Sequence, residues 1–110
     1  MDKIIFTLKG FNDVRDWKKY HTIKNLICAL NVESSELLEL VQWKNDLEII
    51  DQSSEFWINA RDEIADCFIY LLILCDKLEL NEEEIKELIN QKIKVNAIKY
   101  PVEEKGLFEC

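Results

Sequence analysis

The chain has 110 residues, of which 48% are hydrophobic and 33% charged, and its formal net charge is −8 at pH 7. This composition predicts one folded domain, and the presence of only two glycines and one proline favours long helices. The negative charge argues against a nucleic-acid polymer or an anionic membrane as partner, because both attract basic surfaces. An acidic chain can still bind phosphate groups through metal ions.

The cysteines and the hydropathy pattern bear on the cellular compartment. Cys67 and Cys75 fall on one predicted helix about 12 Å apart, which is too far for a disulfide. Neither they nor Cys28 and Cys110 form a CxxC pair, so reduced thiols are expected. No signal-peptide pattern occurs at the N-terminus, and the longest apolar run is too short to span a bilayer. We therefore expect a cytoplasmic protein.

Four helices are predicted, and the first two precede a loop. The first covers about residues 6–20, where Gly10 and Asn12 interrupt the pattern. The second covers about residues 22–44, because apolar residues recur there with the period of an α-helix. Residues 45–52 predict a polar loop.

The second helix carries two carboxylates on or beside its apolar face. That face consists of six aliphatic residues: Ile23, Leu26, Leu30, Leu37, Leu40 and Val41. Glu33 falls inside the face, and Glu36 lies along its edge together with Asn25 and Trp43. The two carboxylates are therefore not on the side of the helix that faces solvent.

The third helix is predicted from Ser53 or Ser54, either of which can cap its start, to about residue 78. It is apolar over most of its circumference, which is typical of a central helix packed on several sides. Its one polar stripe consists of Asn59, Glu63, Asp66 and Tyr70.

The fourth helix has the clearest boundaries. Asn81 and Glu84 form the sequence pattern of a capping box, and Pro101 predicts an end near residue 99. Two polar residues, Lys92 and Asn96, lie within its aliphatic inner face. The residues from 101 onward are expected to form a tail.

Together the carboxylates of the second and third helices suggest a metal site. Glu33 with Glu36, and Glu63 with Asp66, place two carboxylates one turn apart on the same side of each helix. Buried carboxylates need neutralisation, and an all-oxygen set suits magnesium or manganese rather than zinc. The single histidine, His21, excludes the two Glu-x-x-His motifs of a di-iron bundle.

Simpler interpretations remain open from the residues alone. A Glu-x-x-Glu pair is common on solvated helix surfaces, and the polar stripe of the third helix can be a narrow strip facing solvent. Trp17, Trp43 and Trp57 can belong to the core, and Lys92 can extend to water. The alternative to an enzyme is a helical interaction module whose acidic stripes are solvated or bind a basic partner.

Three segments resemble the MazG-like nucleoside triphosphate pyrophosphohydrolases. They are ALNVESSELLELVQW, RDEIADCFIYLLILCDKLEL and KIKVNAIKYPVEEKG, and they carry the family's ExxE and ExxD signature in the right order. The segment RDWKKYHTIKN is similar to the one that precedes the signature in the dCTP pyrophosphatase branch. The resemblance covers about residues 11–106.

This resemblance implies a fold, an activity and a set of site residues. The expected fold is an all-α, four-helix bundle-type MazG-like domain over residues 1–110, completed by assembly into a homodimer or homotetramer. The expected reaction is the magnesium-dependent hydrolysis of a nucleoside triphosphate to the monophosphate and pyrophosphate, with manganese as a substitute for magnesium. The expected substrate is a pyrimidine nucleotide such as dCTP, or a modified deoxynucleotide. The implied catalytic metal ligands are Glu33, Glu36, Glu63 and Asp66. The implied nucleotide contacts are Trp17, His21, Asn25, Trp43, Tyr70, Lys92, Asn96, Lys99 and Tyr100. Related dUTPase-like or phosphoribosyl-ATP pyrophosphatase activities are the nearer alternatives.

Overall fold

A computed structural model of the protein describes residues 1–49, 51 and 55–102. Within these ranges the chain contains helices and no β-strand, so the all-α prediction is confirmed. The elements are α1 (Asp2–Val14), a 3₁₀ turn (Lys18–Tyr20), α2 (Ile23–Glu39), α3 (Asp46–Ile49), α4 (Glu55–Lys77) and α5 (Glu82–Lys99). The chain divides into two compact units, of which the first is Met1–Glu79 and the second begins at Leu80.

Helix α1 begins earlier and ends earlier than the sequence pattern predicts. It passes through Gly10, around which a Cβ atom would meet nothing within 4 Å, so the glycine marks no boundary. The chain leaves the helix after Val14, and Asp16 adopts a left-handed conformation with a φ of 55°. The Trp17 backbone N–H then donates to the Asn12 carbonyl at 3.0 Å. This turn folds Trp17 back towards α1.

Helix α2 has a side-chain cap at its start and ends sooner than expected. The Thr22 hydroxyl accepts a hydrogen bond from the Asn25 backbone N–H at 3.1 Å, which satisfies one of the free donors of the first turn. The helix ends at Glu39 rather than near residue 44. Trp43 consequently lies in the following turn and is 88% exposed.

Helices α4 and α5 agree closely with the third and fourth predicted helices. The proposed caps of α4, Ser53 and Ser54, lie outside the described residues. The capping box of α5 is confirmed: the Asn81 side chain accepts from the Glu84 N–H at 2.9 Å, and the Glu84 carboxylate accepts from the Asn81 N–H at 3.4 Å. The predicted loop contains the short helix α3.

Within the first unit α4 is the central helix, because both α2 and α1 pack against it. The buried hydrophobic residues of this unit are few among those described: Ile5, Leu26, Ala60 and Leu72. An ion pair between Lys9 and Asp76, with 3.7 Å between nitrogen and oxygen, links α1 to the C-terminal half of α4. The prediction that this helix packs on more than one side is therefore correct.

Two further observations concern the described part of the chain. Its cysteines, Cys28, Cys67 and Cys75, are free thiols. None of its helices combines the length and the hydropathy that crossing a membrane requires.

The cap at Thr22 can be tested by mutation. Thr22→Ala removes the acceptor for the Asn25 N–H, and we expect the free energy of unfolding to fall by about 1 kcal/mol in urea denaturation. Thr22→Ser retains a hydroxyl and should retain stability. Thr7→Ala is the matched control, because the Thr7 hydroxyl lies within α1 and donates to the Lys3 carbonyl, where alanine is the better helix former. Equal losses in all three variants would contradict the cap.

Candidate metal centre and adjoining cavity

Three glutamates converge where α2 faces α4. Glu33 and Glu36 lie one turn apart on α2, and Glu63 lies on α4. One carboxylate oxygen from each residue lies within 4.8 Å of the others. All three side chains are partly buried. The structure thus brings together three of the four carboxylates that the sequence singled out.

Two oxygens of this cluster have no hydrogen-bond partner among the described residues. They are Oε2 of Glu33 and Oε2 of Glu63, and both are shielded from solvent. A buried carboxylate oxygen without a donor or a cation carries a free-energy cost, which native proteins avoid unless the group has a function. The cluster therefore has the charge and the free acceptor oxygens that a cation requires.

Electrostatics within the cluster favour protonation of its carboxylates. Burial raises the pKa of Glu33 to about 7, aided by a hydrogen bond that protonated Glu33 can donate to Glu63 and by the negative charge of Glu36. Burial also raises the pKa of Glu63, against the lowering effect of its hydrogen bond with Glu33. Burial and the same carboxylates raise the pKa of the nearby Cys67 thiol. A bound divalent cation would remove this repulsion.

Asp66 lies close to the three glutamates without sharing their tight oxygen cluster. Its negative charge contributes to the raised pKa values of Glu33 and Glu63. It also lines a cavity together with Glu33. These four carboxylates fit a hard divalent cation such as magnesium or manganese, which takes oxygen ligands and tolerates water in its remaining positions.

The cavity next to this cluster has a volume of about 330 Å³ and contains several aromatic side chains. Its lining includes three of the predicted nucleotide contacts, Trp17, His21 and Tyr70. The other lining residues are Leu8, Phe11, Asn12, Glu33, Asp66, Ile69 and Ile73. The cavity lining therefore combines two carboxylates with several aromatic rings.

Two aromatic residues of the cavity, Phe11 and Trp17, are held in place by contacts near the C-terminus of α1. Phe11 and Trp17 meet edge to face, with ring centroids 5.6 Å apart. The Arg15 guanidinium lies 3.5 Å from the Phe11 ring centroid and donates a hydrogen bond to the Phe11 carbonyl. The side-chain amide of Asn25 donates to the Tyr20 carbonyl at 2.9 Å, which fixes the segment before α2.

The other predicted nucleotide contacts do not line this cavity in the described structure. Asn25 makes the local hydrogen bonds given above, and Trp43 is exposed in the turn after α2. Four residues, Lys92, Asn96, Lys99 and Tyr100, belong to the second unit and are exposed there. Their roles stay predictions.

Sequence reasoning missed several lining residues, notably Asn12, Leu8 and Phe11. The spacing of these residues places them on one face of a helix, and this signal was present in the sequence. It was obscured because Gly10 and Asn12 counted as interruptions of the predicted first helix.

The family of the chain follows from comparison with known sequences. A sequence profile described as the MazG-like family matches residues 28–109, a range that includes all four carboxylates. The chain belongs to the MazG-like family. The matched range contains the ExxE pair on α2 and the ExxD pair on α4, which carry the resemblance described in the sequence analysis.

Individual relatives of this MazG-like chain carry related names. The dCTP pyrophosphatase 1 of Rattus norvegicus is 34% identical over 90 residues, which is 80% of this chain and 51% of the relative. That of Homo sapiens is 34% identical over 79% of this chain and 51% of its own length. The chain thus spans about half the length of the curated relatives it matches. A crystal structure of a pyrophosphatase from Archaeoglobus fulgidus superposes with a TM-score of 0.82 and 39% identity, covering 93% of each chain.

The metal centre predicts a specific thermal response. Glu63→Gln removes one negative charge from the cluster, so without divalent cations its Tm should exceed that of the wild type by a few degrees. Added magnesium should raise the wild-type Tm and have a smaller effect on the variant, because a ligand stabilises only the state that binds it. Differential scanning fluorimetry with EDTA or MgCl₂ measures both effects.

The adjacent acid provides the control for this experiment. Asp62 lies next to Glu63 on α4 but is exposed, so Asp62→Asn should behave like the wild type with and without magnesium. An identical magnesium response in wild type and Glu63→Gln would contradict a metal site that includes Glu63.

Proposed function

We propose that this protein is a magnesium-dependent nucleoside triphosphate pyrophosphohydrolase that produces a nucleoside monophosphate and pyrophosphate. The main support is the cluster of Glu33, Glu36 and Glu63, of which Glu33 also lines a cavity that contains aromatic rings. A triphosphate binds through a cation, and a nucleobase stacks well on an aromatic ring. The cavity lining supplies carboxylates that could hold the cation and aromatic rings that could contact the base. The names of the relatives above agree with this reaction class.

The proposed reaction assigns roles to the four carboxylates. Glu33, Glu36, Glu63 and Asp66 would hold magnesium, or manganese in its place. When bound, the ion supplies positive charge that stabilises the triphosphate during hydrolysis. One carboxylate of this group would accept the proton of the attacking water as a general base. The reaction needs no covalent nucleophile.

The aromatic residues of the cavity would bind the nucleobase. Trp17 and Tyr70 line the cavity beside the acidic group, and an aromatic ring of either type can stack on a heterocycle. His21 adds a polar ring at the same place. We propose a pyrimidine deoxynucleotide, dCTP or a modified analogue, as the substrate because the curated relatives are named for dCTP.

The remaining predicted contacts complete this proposal. Lys92 and Lys99 would approach phosphate groups, and Asn96 and Tyr100 would approach the nucleotide from the same subunit or a neighbouring one. Asn25 and Trp43 would contact it once the assembled site forms. Residues 1–110 would act as one MazG-like domain in the cytoplasm, where hydrolysis of unwanted triphosphates cleans the nucleotide pool.

The proposal also includes a homodimer or homotetramer. A cavity of about 570 Å³ opens on the α2–α4 face, and its lining is almost entirely apolar: Ser34, Leu37, Leu38, Val41, Phe56, Trp57, Ala60, Arg61 and Ile64. Leu38 is 63% exposed there. Neighbouring exposed apolar residues such as these are candidates for a protein interface, and a second copy could bury them with the same elements.

Pyrophosphate release from a panel of nucleoside triphosphates tests the activity. We expect hydrolysis of a pyrimidine deoxynucleotide with magnesium and none with EDTA, measured together with the monophosphate formed. Glu36→Gln and Asp66→Asn should lower kcat at least about a hundredfold while remaining folded. Glu39→Gln, an exposed carboxylate on α2, is the matched control and should retain activity.

The same panel separates the alternatives. A preference for dUTP or for phosphoribosyl-ATP would indicate the related activities instead. The absence of hydrolysis with every triphosphate, together with a thermal stability insensitive to magnesium, would favour a helical interaction module.

The proposed assembly can be tested at Leu38. We expect a dimeric or tetrameric mass for the wild type in size-exclusion chromatography with light scattering. Leu38→Glu should shift the mass towards that of the monomer, because a charge would have to enter the apolar interface. Leu47→Glu is the control, since Leu47 lies on α3, outside the cavity lining, and is 81% exposed. A monomeric wild type at micromolar concentration would overturn the assembly.

A further inference from the structure

Asn12 is the buried polar residue that the proposed reaction has not yet used. It lies in α1, and its residue surface is 8% exposed, whereas the other buried residues among those described are hydrophobic. Its backbone carbonyl accepts hydrogen bonds from the N–H groups of Arg15 and Trp17. The backbone of Asn12 therefore helps to form the turn that carries Trp17, independently of the side chain.

The carboxamide of Asn12 has no hydrogen bond with any group in the described part of the chain. An asparagine side chain offers two donor hydrogens and an acceptor oxygen. Those of Asn12 are not among the fully enclosed polar atoms that lack a partner, so they reach the cavity that the residue lines. Polar groups placed there pair with water or with a ligand, which points to a ligand-binding role.

The position of Asn12 indicates which part of a ligand it would meet. The residue lines the same cavity as Trp17 and Tyr70, and the carboxylates Glu33 and Asp66 also line it. It also lines a second cavity of about 230 Å³ next to the first. A triphosphate held at the carboxylates through a metal would place its base among the aromatic residues, beside the carboxamide.

We propose that the Asn12 carboxamide hydrogen-bonds the polar edge of the nucleotide base while the neighbouring aromatic rings contact its face. This inference rests on the proposed function for the orientation of the nucleotide. A base edge presents adjacent donor and acceptor groups, and a carboxamide can pair with both at once, as asparagine does with bases elsewhere. Asn12 is therefore an affinity determinant for the base and takes no part in the phosphate chemistry.

Asn12→Leu tests the proposal because it removes the polar groups and keeps the branched shape of the side chain. We expect KM for the preferred nucleoside triphosphate to rise about tenfold, with kcat nearly unchanged, since the lost contact is equal in ground and transition states. Inorganic tripolyphosphate has no base, and its inhibition constant should be the same for both proteins.

A structural role for Asn12 gives the opposite pattern. An unchanged KM in Asn12→Leu, whatever the change in Tm, overturns the inference. Asn12→Ala, compared by circular dichroism and the same kinetics, provides a second variant should the leucine disturb folding. Equal rises in KM and in the inhibition constant of tripolyphosphate would also overturn it, because the effect would then not depend on the base.

Calorimetric binding of nucleoside monophosphates separates this inference from the proposed reaction. A wild type that hydrolyses no triphosphate but binds a monophosphate about tenfold more tightly than Asn12→Leu would refute the reaction and support the role of Asn12. A wild type that hydrolyses a triphosphate with kinetics identical to those of Asn12→Leu would support the reaction and refute the role of Asn12. If the wild type neither hydrolyses nor binds nucleotides, both are refuted.

Discussion

The confinement of negative charge between α2 and α4 is the constraint on which the rest of the site depends. Glu33, Glu36 and Glu63 place their oxygens within 4.8 Å of one another, and two of these oxygens are buried without a partner among the described residues. Such a cluster opposes folding unless protons or a cation neutralise it. The raised pKa of Glu33 is the electrostatic consequence of this arrangement. Stability and cation binding are therefore coupled through the same three side chains.

The packing of the first unit explains how this cost can be tolerated. Helix α4 contacts both α1 and α2, and Leu26 of α2 is 1% exposed against it. The carboxylates occur on the same two helices as aliphatic residues: Leu37 follows Glu33 by one turn, and Ile64 is next to Glu63. The packing of the two helices therefore also sets how close the carboxylates lie to one another. A site held by packing in this way loses less entropy when its ligands are ordered upon binding.

Helical periodicity was sufficient to predict the acidic centre, since α2 and α4 are long and regular through the residues concerned. Glu33 and Glu36, and Glu63 and Asp66, keep their relative positions whatever the exact helix ends. Positions near the ends were harder to predict. No glycine or proline marks the end of α2, so the pattern continues through Trp43 although the helix stops at Glu39. Gly10 had the reverse effect, because it lies in open space within α1 and causes no break.

The turn after α1 shows why the cavity itself could not be predicted from one helix at a time. Asp16 with its positive φ reverses the chain, and the Asn12 carbonyl accepts the Trp17 N–H, so the ring of Trp17 returns to the helix that precedes it. Periodicity describes residues within a helix and contains no information about such a reversal. The same turn places an aromatic wall beside a buried carboxamide and within the cavity that reaches Glu33 and Asp66. The glutamate cluster, through Glu33, and the Asn12 carboxamide thus border a single cavity. The proposed nucleotide would use both, because its phosphates need a cation held by the carboxylates and its base has a polar edge that a carboxamide can pair with.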